Sequence, residues 1–353
     1  MTGGEEKSHL FDEKIRKYEE KLVEVLLDIG KSKRANPKMA TISCYLLIHE
    51  KLTQKELKEL TGFSMGTIST YLSVMVGTGN FQKIRIPRTH KFMYSIFGEL
   101  EALPTRALDF ALSSIGSIEI YLKSKVKILK KLAEQTKEGA KHLLLRIEEL
   151  IESFEIYKKI FPPNGILDEM IQKQSSIKPS QRIKNEQNKA IEIKFDEEVY
   201  LIEDDIINQL LTSPMFSTRD PMFIRILGYF MTRKYLTQET LKRITGLSSG
   251  KISEEVNRLL DDKIINKADI SPKGKITYSA DSFIILRFAR YIINKMTKWV
   301  REIENMKLEL EKNKSDLEDL DGYTQIDRIY DFILDAIQTY TQYRKKLDSL
   351  LEI

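Results

Sequence analysis

Cysteine is almost absent from this chain. Its one thiol, Cys44, has no partner for an intrachain disulfide, and the four histidines, His9, His49, His90 and His142, are too scattered to complete a structural zinc site with it. A reducing, cytoplasmic setting is the reading. Glycine (16) and proline (9) are few in 353 residues, which excludes collagen-like and low-complexity classes. No apolar run reaches about 18 residues, and the opening MTGGEEKSHL is polar and acidic, so neither a membrane span nor a secretion signal is expected. Enzyme signatures are missing as well. There is no phosphate-cradling glycine loop ending in Lys-Ser or Lys-Thr, no nucleophile elbow and no His-Glu-x-x-His, and Gly77-Thr78-Gly79 lacks the third glycine and the preceding strand of a dinucleotide fingerprint. No enzymatic activity and no cofactor are expected.

What the chain does contain is a duplication. Shifting it against itself by 184 residues aligns Leu52-Thr53-Gln54 with Leu236-Thr237-Gln238, and Thr61-Gly62 with Thr245-Gly246. Ser64, Gly66, Ile68 and Ser69 then meet Ser248, Gly250, Ile252 and Ser253, for 11 identities in 18 positions without a gap. The register persists outward, with Tyr45 on Tyr229 and Tyr94-Ser95 on Tyr278-Ser279. Two copies, roughly 1–161 and 190–353, are joined by a polar, proline-containing stretch near 162–190 that reads as a linker.

Within a copy the local signals follow one another closely. Residues 37–50 place Ile42, Tyr45, Leu46 and Ile48 at helical spacing behind a first-turn proline. Thr53 and Glu56 form a capping-box pattern that starts a second helix, and Thr61-Gly62 stops it. Ser64 is a natural N-cap for a third helix whose inward positions are Ile68, Leu72 and Met75. Helix, glycine turn and helix make a helix-turn-helix. Two strand-like segments, Phe81 to Ile86 and Lys91 to Ile96, flank Pro87-Arg88-Thr89-His90 and predict a hairpin wing, repeated in the second copy around Ser271-Pro272-Lys273-Gly274.

Long apolar stripes follow each wing: Leu108 to Leu129 and Leu143 to Phe161 in the first copy, Ile285 to Met306 and Ile326 to Tyr340 in the second. Stripes so narrow need partner helices, from this chain or another. The fold class is thus mainly α, with two winged helix-turn-helix domains connected to long dimerisation-type helices. Its segments are 1–98 (N-terminal helix and first winged unit), 99–161 (helical hairpin), 162–190 (linker), 191–282 (second winged unit) and 283–353 (helical hairpin).

Charge is unevenly spread. Residues 31–97 hold 11 Lys or Arg against three Glu, a net of +8, and residues 215–281 a net of +4, although the whole chain carries only +5. Basic units set among acidic helices are the footprint expected of a protein that meets phosphate, and double-stranded DNA is the expected partner. The start of the third helix would enter the major groove and present Ser64, Met65, Thr67, Thr70 and Ser73, with Ser64 and Thr67 serving either as contacts or only as caps. Lys83, Arg85, Arg88 and Lys91 on the wing would reach backbone or minor groove. Their counterparts are Ser248, Ser249 and Lys251 on the helix, and Lys267, Lys273 and Lys275 on the wing. Glu254 and Glu255 set two carboxylates on that second helix, where they would repel phosphate. Two further carboxylate groups, Glu203-Asp204-Asp205 and Asp261-Asp262, read as helix surface or helix end. Cys44, between apolar neighbours, reads as buried.

The run Leu52-Thr53-Gln54-Lys55-Glu56-Leu57 through Thr61-Gly62-Phe63-Ser64-Met65-Gly66-Thr67-Ile68-Ser69, with its basic hairpin and long helices, resembles MarR-type winged-helix transcriptional regulators. The branch it is most similar to is the GbsR-like one, in which Ser-x-Gly-x-[Val/Ile]-Ser opens the recognition helix. About 60 residues of each copy carry the resemblance. It implies a regulator that grips operator DNA with two winged units, dimerises through its terminal helices and responds to a small-molecule effector, for which no residue pattern here marks a pocket. Two departures stand out. Both units lie in one polypeptide, which implies a covalent pseudo-dimer reading unlike half-sites, with a further homodimer left open. Thr70 and Glu254 also stand where a basic residue often follows the serine of that pattern. Tandem winged helices serve as protein-docking modules too, and the acidic second helix favours that reading for its half.

Overall fold

In the computed structural model, residues 10–32, 35–162, 192–216, 219–270 and 275–351 are described. The chain is mainly helical with two small three-stranded antiparallel sheets. In the first copy α1 is Glu13–Ser32, α2 Pro37–His49, β1 Lys51–Thr53, α3 Gln54–Thr61 and α4 Met65–Gly77, followed by β2 Phe81–Arg85 and β3 Phe92–Ile96. Two long helices, α5 Leu103–Glu134 and α6 Ala140–Ile160, come next. The second copy repeats the order with α7 Glu197–Thr212, α8 Pro221–Arg233, β4 Tyr235–Thr237, α9 Gln238–Thr245, α10 Ser249–Asp261, β5 Asn266–Ile270 and β6 Ile276–Ser279. It ends in α11 Ile284–Thr297, α12 Val300–Lys312, the short α13 Lys314–Leu317 and α14 Tyr323–Leu350.

The capping chemistry explains the boundaries. Asn36 accepts from the backbone of Lys38 and Met39 to start α2. Thr53 and Glu56 close a reciprocal box at α3, with Thr53 N–H to Glu56 Oε2 at 2.6 Å and Glu56 N–H to Thr53 Oγ1 at 3.3 Å. Gly62 (φ +71°) and Gly246 (φ +71°) take the left-handed conformation that ends α3 and α9. The second copy has Thr240 where the first has Glu56, so its box lacks a carboxylate. Glu192, from before α7, supplies one, accepting from the Thr237 backbone N–H and, at 2.9 Å, from Thr240 Oγ1.

Each sheet has one strand more than the expected hairpin. Leu52 pairs with Tyr94 in the order β1-β3-β2, and Leu236 pairs with Tyr278 in β4-β6-β5. A second difference lies in the stripe from Ile285 to Met306, which is not one helix: the Thr297 hydroxyl turns back to the Asn294 carbonyl (3.2 Å), and α12 begins afresh at Val300.

Two compact units form, and each takes elements from both copies. The first runs to Ala107 and includes Asn294–Gln342; the second is Leu108–Ile293 with Tyr343 onward. In the first, α1 lies on α2, and its Ile15, Tyr18, Leu22 and Val25 share a core with Ile303 and Met306 of α12 and with Ile326, Tyr330 and Ile333 of α14. Asp12 N–H donates to the Asp321 carbonyl (3.1 Å), and Lys21 pairs with Glu302 (2.9 Å). In the second unit the roles are exchanged, with α6 of the first copy packing on α7 and α8 of the second. Asp196 N–H donates to the Glu138 carbonyl at 3.0 Å, the counterpart of the Asp12 bond. Arg146 of α6, buried, donates to the carbonyls of Phe230, Met231 and Ala280. Thus the partner helix that the second copy's stripe requires is α1 of the same chain.

Candidate nucleic-acid interface

A separate small core sets the geometry of α4 and its hairpin. Ile68, Leu72 and Met75 point into a cluster with Ile42, Leu46, Leu52, Leu57 and Tyr94, with Phe81 of β2 packed against it. Inward placement of those three leaves Ser64, Met65, Gly66, Ser69, Thr70, Ser73 and Val74 exposed on α4. Val74, not among the contact residues expected from the sequence, is 46% exposed and stands four residues, about one helical turn, after Thr70.

Three hydroxyls of this face, those of Ser64, Thr67 and Thr70, are engaged within the helix, whereas Ser69 and Ser73 stand exposed. Ser64 Oγ accepts from Thr67 N–H (3.2 Å) and lies 3.0 Å from Thr67 Oγ1, so both residues serve the cap. Thr70 Oγ1 donates to the Gly66 carbonyl at 2.9 Å. Gly66 itself has a helical φ, and a Cβ built on it meets no atom within 4 Å; the same holds for Gly250 in α10. Neither backbone conformation nor internal packing requires glycine at these two exposed positions.

Lys83, Arg85, Arg88 and Lys91 are all exposed on the first hairpin. Lys83 Nζ sits 4.0 Å from the centroid of the Phe92 ring, and Arg85 Nε reaches the Thr89 carbonyl at 3.4 Å. Thr89 N–H closes the tip onto the Ile86 carbonyl (3.2 Å), with Arg88 at the third position of the turn and φ +61°, a region that favours glycine. Among the described residues, no ion pair involves any of these four cations.

The second copy presents different electrostatics. Ser248 caps α10 through Lys251 N–H (3.4 Å), and Ser249 is exposed. Lys251 Nζ is 3.3 Å from Glu254, which also pairs with Arg258, and these two cations hold the Glu254 carboxyl below its usual range. Glu255 does not face outward as expected. Its side chain is buried, with one oxygen 3.0 Å from Arg258 Nη1, because it occupies the inward position that Tyr71 takes in α4. Lys275 pairs with Glu239 at 2.8 Å, and the hydrogen bond between them raises the lysine and lowers the carboxyl. Lys267 is exposed, and Lys273 lies outside the described residues.

The other carboxylates divide. Asp261 and Asp262 do end α10. Glu203, expected on a helix surface, is instead completely buried: Thr232 Oγ1 donates to it at 2.6 Å, and Arg233 Nε lies 2.8 and 3.0 Å from its two oxygens. Cys44 is buried in α2. Among the described residues no group of three or more His, Cys, Asp or Glu side chains is placed to hold a metal ion, and no helix is long and apolar enough to cross a membrane. Comparisons with protein-family models, with characterised proteins and with solved structures find no match to this chain.

Proposed function

We propose that the chain is a non-enzymatic, sequence-specific DNA-binding transcriptional regulator. Its two duplicated units act as winged helix-turn-helix modules of one covalent pseudo-dimer, α4 and α10 entering the major groove and the hairpins meeting backbone or minor groove. The carrying observation is the first hairpin. Among the described residues, the four cations there stand exposed without a carboxylate partner, whereas Lys251 and Lys275 of the second copy are ion-paired. An unpaired cation gains the full benefit of replacing a phosphate counterion, while a paired one must first give up its carboxylate. Gly66 and Gly250 support the reading, since a missing side chain at an open helix surface admits close approach of a partner.

The test replaces Arg88 by Gly and Lys91 by Ala. Glycine suits the φ of +61° at the tip, so the hairpin keeps its turn while the charge is lost. Affinity for duplex DNA should fall across all sequences, and the dependence of log affinity on log salt should shallow by about two phosphate contacts. Unchanged affinity would remove the hairpin from the interface.

A protein-docking role is the second reading, and one observation favours it for the second copy: α10 satisfies its own charges through Lys251, Glu254 and Arg258. A duplex footprint confined to the first copy's half-site would support that division.

A further inference from the structure

The exposed face of α4 carries no charged and no amide side chain anywhere along Met65–Gly77. It therefore has none of the groups that make the paired hydrogen bonds to guanine or adenine edges, the commonest means of direct readout in the major groove. Beside the short hydroxyls of Ser69 and Ser73, its reach outward is apolar. Met65 is 42% and Val74 46% exposed, and Thr70, whose hydroxyl is held by the Gly66 carbonyl, has its methyl group left for an outside partner. One base presents an apolar group in the major groove, thymine, through its C5-methyl. The second copy carries charge at three of the aligned positions, with Glu254 for Thr70, Arg258 for Val74 and Lys251 for Thr67.

We infer that α4 reads thymine methyl groups, so that the first copy selects a thymine-rich half-site by apolar contact from Met65, Thr70 and Val74 rather than by hydrogen-bond pairing. The inference rests on the DNA-binding reading above. The occupant it commits to is duplex DNA, because the same core that sets α4 also carries the hairpin with the unpaired Lys83, Arg85, Arg88 and Lys91. Those cations hold the backbone of any sequence; the uncharged helix face supplies the discrimination.

The experiment compares full-length protein on two 30-base-pair probes that differ only in the methyl group, alternating dA–dT and alternating dA–dU duplexes. Phosphate contacts cancel between them. Burial of one methyl is worth about fourfold in affinity, and the dA–dT duplex should be preferred by at least that factor. Thr70→Ser retains the hydroxyl for Gly66 and removes only the methyl, and Val74→Ala trims an exposed side chain, so both variants should fold and both should shrink the ratio towards one. Replacing cytosine by 5-methylcytosine in an alternating dG–dC duplex should strengthen binding. Arg88→Gly should weaken binding to both probes alike and leave the ratio unchanged. Equal affinity for the thymine and uracil duplexes, or a preference that neither variant alters, would overturn the inference while salt-dependent binding left the DNA-binding reading standing. Failure to bind any duplex at low salt would overturn both.

Discussion

His49 Nε2 lies 2.7 Å from Glu19 Oε1 with both side chains buried, and the Phe11 ring stacks on the imidazole at 4.1 Å between centroids. The duplication repeats this arrangement 184 positions later with arginine in place of histidine: Arg233 on Glu203, with Phe195 4.1 Å from the guanidinium carbon. Removing the carboxylate charge should therefore cost the two units differently. Glu203→Gln leaves a buried guanidinium without its counter-charge and should cost about 3 kcal/mol. Glu19→Gln leaves an amide that can still hydrogen-bond the imidazole, and should cost about 1 kcal/mol. Denaturant unfolding of the two variants checks the order, and an equal loss would contradict it.

Local structure was legible because its determinants are local. Thr53 with Glu56, Gly62 and Ser64 each satisfy or redirect a backbone group within four residues, and each does so where the sequence placed it. Strand β1 was not legible, since three residues carry no alternation and Lys51–Thr53 becomes a strand only by pairing with β3. Buried Glu203 and Glu255 were misplaced for a related reason. A carboxylate belongs on the surface unless a cation covers it, and the covering residue of Glu203 lies 30 positions away. Periodicity found the apolar faces of α6 and α14, yet a stripe does not specify its neighbour, and the exchange of helices between copies emerged only in three dimensions. At the candidate interface the same period placed Thr70 and Ser73 outward, and Arg88 was legible as the tip of the hairpin.

That exchange makes a remote position matter. Gly322 has φ +99°, and a Cβ there would fall 2.4 Å from the Phe11 ring. Gly322→Ala should destabilise the first unit by about 2 kcal/mol and speed hydrogen exchange in α1, some 300 residues away in sequence. Exchange that rises only around residue 322 would show that α1 does not depend on this turn.

Gly66 separates stability from binding. Alanine fits its helical backbone and open surroundings, so Gly66→Ala should stabilise the fold by about 0.5 kcal/mol. The added methyl should at the same time lower DNA affinity by blocking close approach. Thermal melting and duplex titration of one variant check both signs; unaltered affinity would place α4 outside the contact.

Acid should act through Glu119 in the second unit. Burial raises this carboxyl, but Lys123 and Lys158, hydrogen-bonded to its two oxygens, more than reverse that and hold it below its usual value. With the folded value depressed, its contribution is complete above the ordinary carboxylate range and is lost as pH falls through the lowered value. Glu119→Gln should flatten that part of the acid limb in a stability profile, and a variant that follows the parent at every pH would show the pair to be inert.

We propose that exposed, unpaired cations and an uncharged helix face make the first copy a reader of DNA sequence. Selection of bound duplexes from a random pool, with the affinity of the recovered sequences titrated against salt, decides whether it does. An enriched, asymmetric, thymine-containing motif whose binding falls steeply with salt is the expected outcome. A pool that emerges unenriched, bound weakly and without preference, would contradict it.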